Sequence, residues 1–474
     1  MLKSYMTLEK KNFEINSISI INFLFAFFPI SFILGNFIIN LNLILFCCLG
    51  IFHLKSKILK TKIDFIVRFI FIFFFVIFFS TILSFIISLY FEGYINVNLL
   101  KLVKSIVFFR FFLLLLIIYL LSKFDILNFK YFFLSATFFA ILLSLDVIFQ
   151  YIFGFDMIGL KSSGYFNSGF FGDELISGGF IQRFSFFSIF FLTFLFKNKN
   201  TVRFILTTSA ICLLGVGIFL SGNRMPLILF LFGLFLIFLF NNKLRKIVPV
   251  SVLILFILFK FVISTDVLIK ESYRSYYQNA NQVMFSLRLA LSGDKQKIGK
   301  NSTISKQEDQ HITDNPIIDI STHRRLFLTA LDTWKLNKIF GNGLKSFRID
   351  CRKLISSEYN LSEDVLKFKK NRLCSNHPHN YYFEILTETG IIGMLFIVAS
   401  ALFFLVFIFK NLRFLKGNNI ENFILLSAVI SLIVEMFPIR STGSFFTTNN
   451  ITYIIIILSI IVSYKELLIG KNFR

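Results

Sequence analysis

The residues best suited to chemistry gather in one run, SNHPHNYYFEILTETGIIG, from Ser375 to Gly393, where His377 and His379 flank Pro378. An imidazole titrates near neutrality and can accept a proton from a hydroxyl. His379 and Asn380 open a long apolar stretch read as a helix, whose N-terminal dipole disfavours the imidazolium and so favours His379 as a proton acceptor. Capping of the helix is the plainer role for it, and His377 reads as a secondary contact to substrate. Glu384 and Glu388 lie four apart on one helical face, suited to orienting an arginine or His379, or simply stabilised by the helix dipole.

Several cations fit an anionic ligand. Arg224 stands in SGNRMP between two apolar stretches, Arg324 and Arg325 stand in a polar one, and Lys101 and Lys104 lie about one turn apart with Arg110 deeper. Guanidinium forks grip phosphate oxygens bidentately; snorkelling at a membrane edge or simple solvation is the duller use of such charges. Arg183 reads as a partner of Asp173 or Glu174. Asp173, Glu174 and Glu384 are scattered and compose no carboxylate cage, so neither a metal nor a cofactor is expected.

These residues need a scaffold, and the composition names it. Of 474 residues, 56% are hydrophobic, 16% charged and 70 are Phe, more apolar side chain than a soluble core can hide. Apolar runs long enough to cross hydrocarbon as helices fall at about 17–34, 37–53, 63–90, 97–121, 130–152, 180–196, 202–220, 225–241, 247–264, 381–409, 420–438 and 451–464. The expected fold is an all-α polytopic membrane protein of about 12 spans. With a cytoplasmic N-terminus every short loop obeys the positive-inside rule, which puts both termini in the cytoplasm. Much of the +23 formal charge is thereby a topological signal, and nucleic acid is not an expected partner.

The chain divides into a bundle of nine helices over 1–264, a large helical periplasmic loop domain over 265–379, and helices ten to twelve over 380–474. The stretch at 294–320 reads as a mobile insertion. The first apolar run leads straight into the second and reads as a retained helix, not a cleaved signal. Cys47, Cys48 and Cys212 lie within spans and read as inert. Cys351 and Cys374, in the external loop of an oxidising compartment, are expected to form a disulfide.

His379-Asn380, nine residues, then Gly390-x-x-Gly393, at the entry of the tenth span after the one large external loop, resembles the signature of the O-antigen ligase and polymerase superfamily. The run HRRLFLTALDTWKLNKIFGNGLKSFR from His323, with its Gly341-x-Gly343 turn, resembles the family's second loop signature. SGNRMP, FGDELISGGFIQR at 171–183 and STGSFFTTNN at 441–450 are similar to other external segments of ligase-like members. The resemblance implies a GT-C-like, inverting, metal-independent glycosyltransferase, with His379 as general base and Arg224, Arg324 or Arg325, helped by Lys101 and Lys104, holding a pyrophosphate. It implies an O-antigen ligase that moves polysaccharide from undecaprenyl pyrophosphate to lipid A-core, with membrane lipids around it. The alternatives are polymerisation on the same carrier, transfer to protein hydroxyls and, from another class, a transporter or flippase. Scarce Pro, no repeated halves and polar residues gathered at one face weigh against the last.

Overall fold

In hydrocarbon every backbone N–H and C=O must be bonded within the segment, so apolar runs of this length become helices. The computed structural model describes residues 16–91, 95–271, 273–274, 322–355, 372–417, 419–441 and 443–471. Among these the only strand-like feature is the isolated bridge between Phe155 and Lys161. Helices lie on each apolar run: α1 (Ser17–Ala26), α2 (Phe28–Leu34), α3 (Asn36–Leu54), α4 (Phe65–Phe91), α5 (Ile95–Lys123), α6 (Phe129–Phe153), α7 (Ser177–Leu195), α8 (Asn200–Leu220), α9 (Arg224–Phe240) and α10 (Ile247–Thr265). After them come α11 (Thr322–Leu336), α12 (Phe347–Ile355), α13 (Tyr381–Lys410), α14 (Ile420–Glu435) and α15 (Thr448–Lys471).

Among the described residues, eight helices are long and apolar enough to cross a membrane, or nine if α1 and α2, bent by 49°, make one span. Pro29 at the start of α2 accounts for the bend, since it has no N–H to continue the ladder. The expected twelve spans thus meet a smaller number passing on length alone: α9 and Thr448–Tyr464 of α15 are shorter apolar helices, and α14 has 16 residues. The insertion expected at 294–320 lies outside the described residues.

Helix α7 is buried along almost its whole length, with α6, α8, α9 and α14 against it, while α15 packs on α14, α5 and α3. Small residues let these helices close up. A Cβ on Gly217 would meet Ser144 Cβ at 2.9 Å, and Gly233 lies directly against the Phe186 ring, the close approach through which helices associate when water supplies no driving force. Helix α13 stands to one side, packed on α4, α11 and α12, and its N-terminal third carries most of the polar residues described next.

Candidate functional site

The start of α13 is fixed by Asn380. Its Oδ1 accepts from Tyr382 N (3.0 Å) and Phe383 N (3.3 Å), an N-cap, while its Nδ2 donates to the Pro438 carbonyl at 2.8 Å. His379 is thereby held just outside the helix in a left-handed conformation, φ +58°. Its ring lies 4.2 Å from that of His377 and 5.9 Å from that of His323, at the start of α11. His323 Nε2 lies 3.5 Å from Ser441 Oγ. Burial, and then the charge of His323, hold His379 below the ordinary histidine pKa of 6.5. Both causes favour the neutral, proton-accepting form of the imidazole, through burial and neighbour rather than dipole alone.

Asp332 anchors Arg372 (2.7 Å) and Thr329 Oγ1 accepts from Leu373 N (3.1 Å), tying the segment before the histidines to α11. Cys351 of α12 and Cys374 are joined as a disulfide, Cα–Cα 5.6 Å, inside a small core with Ala330 and Phe347. Arg325 donates to the Arg372 carbonyl at 3.1 Å and so braces the same segment, while Arg324 is exposed beside His323.

The two glycine pairs form one device. Gly390 breaks α13 with φ +65° and ψ −163°, and the turn of Gly341 and Gly343 passes through the break. Asn342 N donates to Thr387 O (3.0 Å), Gly343 N to Glu388 O (3.0 Å), and Ile391 N to Lys338 O (2.9 Å), so the turn takes up bonds that the broken helix gives away. A Cβ on Gly341 would meet Glu388 C and Thr389 N at 2.5 Å, which leaves room only for glycine.

Two expectations are corrected. Arg183 is buried and paired with Glu435 of α14, Nη2–Oε1 2.6 Å and Nε–Oε2 3.1 Å, not with Asp173 or Glu174, which are exposed. Arg440 closes on the same carboxylate at 2.5 Å, and Tyr381 donates to it at 2.9 Å. Among the described residues Glu384 and Glu388 make no hydrogen bond to His379 or to an arginine, although the charge of Arg348 acts on both. Glu384 accepts from Ser444 Oγ (2.5 Å) and Phe445 N (2.6 Å), while Glu388 accepts from Lys345 N (2.7 Å).

Arg224 opens α9, where Asn223 accepts from Gly178 N (3.1 Å) and donates to Leu175 O (3.1 Å), fastening the α8–α9 turn to the start of α7. Lys101 is buried on α5 and Lys104 is exposed there. His323, Lys345, Arg348, Glu435, Arg440 and Ser444 carried no role in the sequence reading. Glu435 had left a signal, an acid within an apolar run, which is costly in hydrocarbon unless paired. Among the described residues no group of three or more His, Cys, Asp or Glu side chains is disposed to hold a metal ion.

Together these features define a helical membrane protein with a histidine-centred polar cluster where a small two-helix cap meets the bundle. Residues 208–398, about two fifths of the chain, match a family model described as O-Antigen ligase. The matched stretch runs from α8 into α13 and contains Arg224, the α11–α12 cap, His379 and both glycine pairs; over it the chain is O-antigen ligase-like. No curated protein matches the chain.

Proposed function

We propose that the protein is an O-antigen ligase, transferring polysaccharide from undecaprenyl pyrophosphate to lipid A-core. The observation that carries this reading is His379, set against His323 and His377 beside the capped start of α13 within the family-matched segment. An acceptor hydroxyl attacks the anomeric carbon and passes its proton to His379 as the new C–O bond forms. The bond to pyrophosphate breaks, and its electron pair leaves with the phosphate oxygen. Attack opposite the leaving group inverts the anomeric centre. Arg224 and Arg324 receive the developing phosphate charge, while Arg325 braces the cap. No metal is needed in this scheme, because guanidinium charge takes that part.

The loop charges support the accompanying topology: twelve spans in a bacterial inner membrane, both termini cytoplasmic, α11 and α12 in the periplasm. His377 and Asn380 support His379 from either side, one as a substrate contact and one as the cap.

The test is His379→Ala in the reconstituted protein, supplied with lipid-linked polysaccharide and lipid A-core, with and without EDTA. Transfer is expected to fall by about 10²–10⁴-fold, the usual worth of a positioned base, and EDTA is expected to leave the wild type unaffected. Wild-type rates in the variant would sink the mechanism; products lengthened on the carrier instead would assign a polymerase.

A further inference from the structure

Beside α4, α5 and α13 lies a cluster of cations that the mechanism does not use. Lys345 follows the Gly341–Gly343 turn with φ +58°, its N–H fixed on Glu388. Its charge interacts with those of Arg348 on α12 and Lys104 on α5, as well as with Glu388 and Glu384. Burial first, and then these two cations, hold the Lys345 ammonium below the ordinary lysine range. None of the three cationic side chains has an ion pair or hydrogen bond among the described residues, and Arg348 Nε is buried with no partner. Glu384 and Glu388, the acids nearest them, are occupied by Ser444 and by backbone N–H groups. Three cations thus face two acids, and the charge left over on this partly dry spot is repelled by its neighbours unless a further anion joins them.

The turn that carries Lys345 is tied to α4 through Leu344 N to Thr81 Oγ1 (3.0 Å) and Ser84 Oγ to Asn342 O (2.8 Å). One to two turns further along α4 is an apolar crevice of about 130 Å³, lined by Phe75, Val76, Phe79, Phe340 and Ile392 with Ser80 and Thr389 at its polar end. Ser80 Oγ lies 2.5 Å from the Phe340 carbonyl oxygen and 2.7 Å from that of Glu388, its one proton shared between them, so the crevice wall abuts the residue that holds Lys345 N. Phe75 and Phe79 are exposed, so the crevice opens on the flank of a membrane-crossing helix. An apolar slot on the helix that anchors the cation-bearing turn matches an amphiphile with an acidic head.

We propose that Lys104, Lys345 and Arg348, with the crevice along α4, form a second anion site that receives the phosphate or carboxylate groups of the acceptor glycolipid. Placement favours acceptor over donor. The proposed donor contacts are Arg224 on α9 and Arg324 at the exposed start of α11, whereas the new site is built from α4, α5, α12 and α13. A transferase between two lipid-anchored substrates needs two such berths, and His379 opens the helix that carries one of them. Lys104, expected from sequence to serve the donor, belongs by its neighbours to this second berth. The inference rests on the ligase reading.

It is tested with full-length protein in nanodiscs of zwitterionic phospholipid, comparing wild type with the double variant Lys345→Gln/Arg348→Gln. The KM for lipid A-core is expected to rise at least tenfold while the donor KM stays within twofold, and Lys345→Arg/Arg348→Lys is expected to restore most of the loss, which separates charge from folding. A difference that vanishes with phosphatase-treated acceptor assigns phosphate; one that persists assigns carboxylate. Native mass spectrometry of the same nanodiscs reads lipid A-core occupancy without transfer, and occupancy should fall tenfold in the double variant. Unchanged occupancy, a defect confined to the donor KM, or displacement of the acceptor by an equimolar amount of phosphatidylglycerol overturns the inference. Intact, variant-sensitive binding in a wild type that transfers nothing overturns the ligase reading instead.

Discussion

Asn380 shows how much one side chain can organise. By capping α13 with its oxygen and holding the 438–440 turn with its nitrogen, it fixes the neighbour that carries the chemistry, and His379 accepts a left-handed backbone as the consequence. The state of that imidazole is set by what surrounds it, burial first and His323 second. His323→Gln removes the second influence, so the His379 pKa rises towards its ordinary value. A base is lost as pH falls through its pKa; the acid limb of kcat/KM for transfer is therefore expected at higher pH in the variant than in the wild type. An unmoved limb would show that the two rings are not electrostatically coupled.

Among the elements, the break in α13 decides most. A continuous helix would keep its own hydrogen bonds and offer the loop nothing; broken at Gly390, it exposes donors and acceptors that only the 338–343 turn satisfies. Gly341→Ala is expected to cost about 1–3 kcal/mol for the left-handed backbone alone and more for the clash with Thr389 N. Gly343→Ala, whose Cβ would stand 3.1 Å from Thr81 Cα, is expected to be milder. Thermal unfolding in detergent ranks the pair, and an equal effect would mean that the turn does not thread the break.

The deeper polar element is the Glu435 carboxylate held between Arg183 and Arg440. Glu435→Ala strands two buried guanidinium groups, and a loss of about 3–5 kcal/mol is expected, read by the same unfolding measurement. A variant as stable as the wild type would refute the clamp.

Across the whole molecule, a small cap is fastened to a bundle by a few long-range ties. The Cys351–Cys374 bridge spans 23 residues of sequence, and closing such a loop is worth about 3 kcal/mol in the chain-entropy model. Reduction with dithiothreitol is expected to loosen the cap selectively, with protease cutting gained near 347–374 and none in α7 or α14. Uniform cutting would show that cap and bundle unfold together.

The local signals along the chain were legible without coordinates. Run length marks a helix because hydrocarbon allows little else, and His379, Asn380 and the glycine pairs are recognisable by spacing. Pairings across the bundle were not legible, because they depend on how each helix is rotated and which neighbour it meets. Arg183 and Glu435 lie 252 positions apart in the chain, and proximity in sequence pointed instead to Asp173 and Glu174. Lys345 and Arg348 carried no signal in the sequence, because only the break in α13 brings their turn against α4. The sequence by itself determined a helical membrane protein and its family-like motif; the tertiary structure decided which charges face one another, since only packing in a low-dielectric interior makes an ion pair obligatory or leaves a cation without its anion.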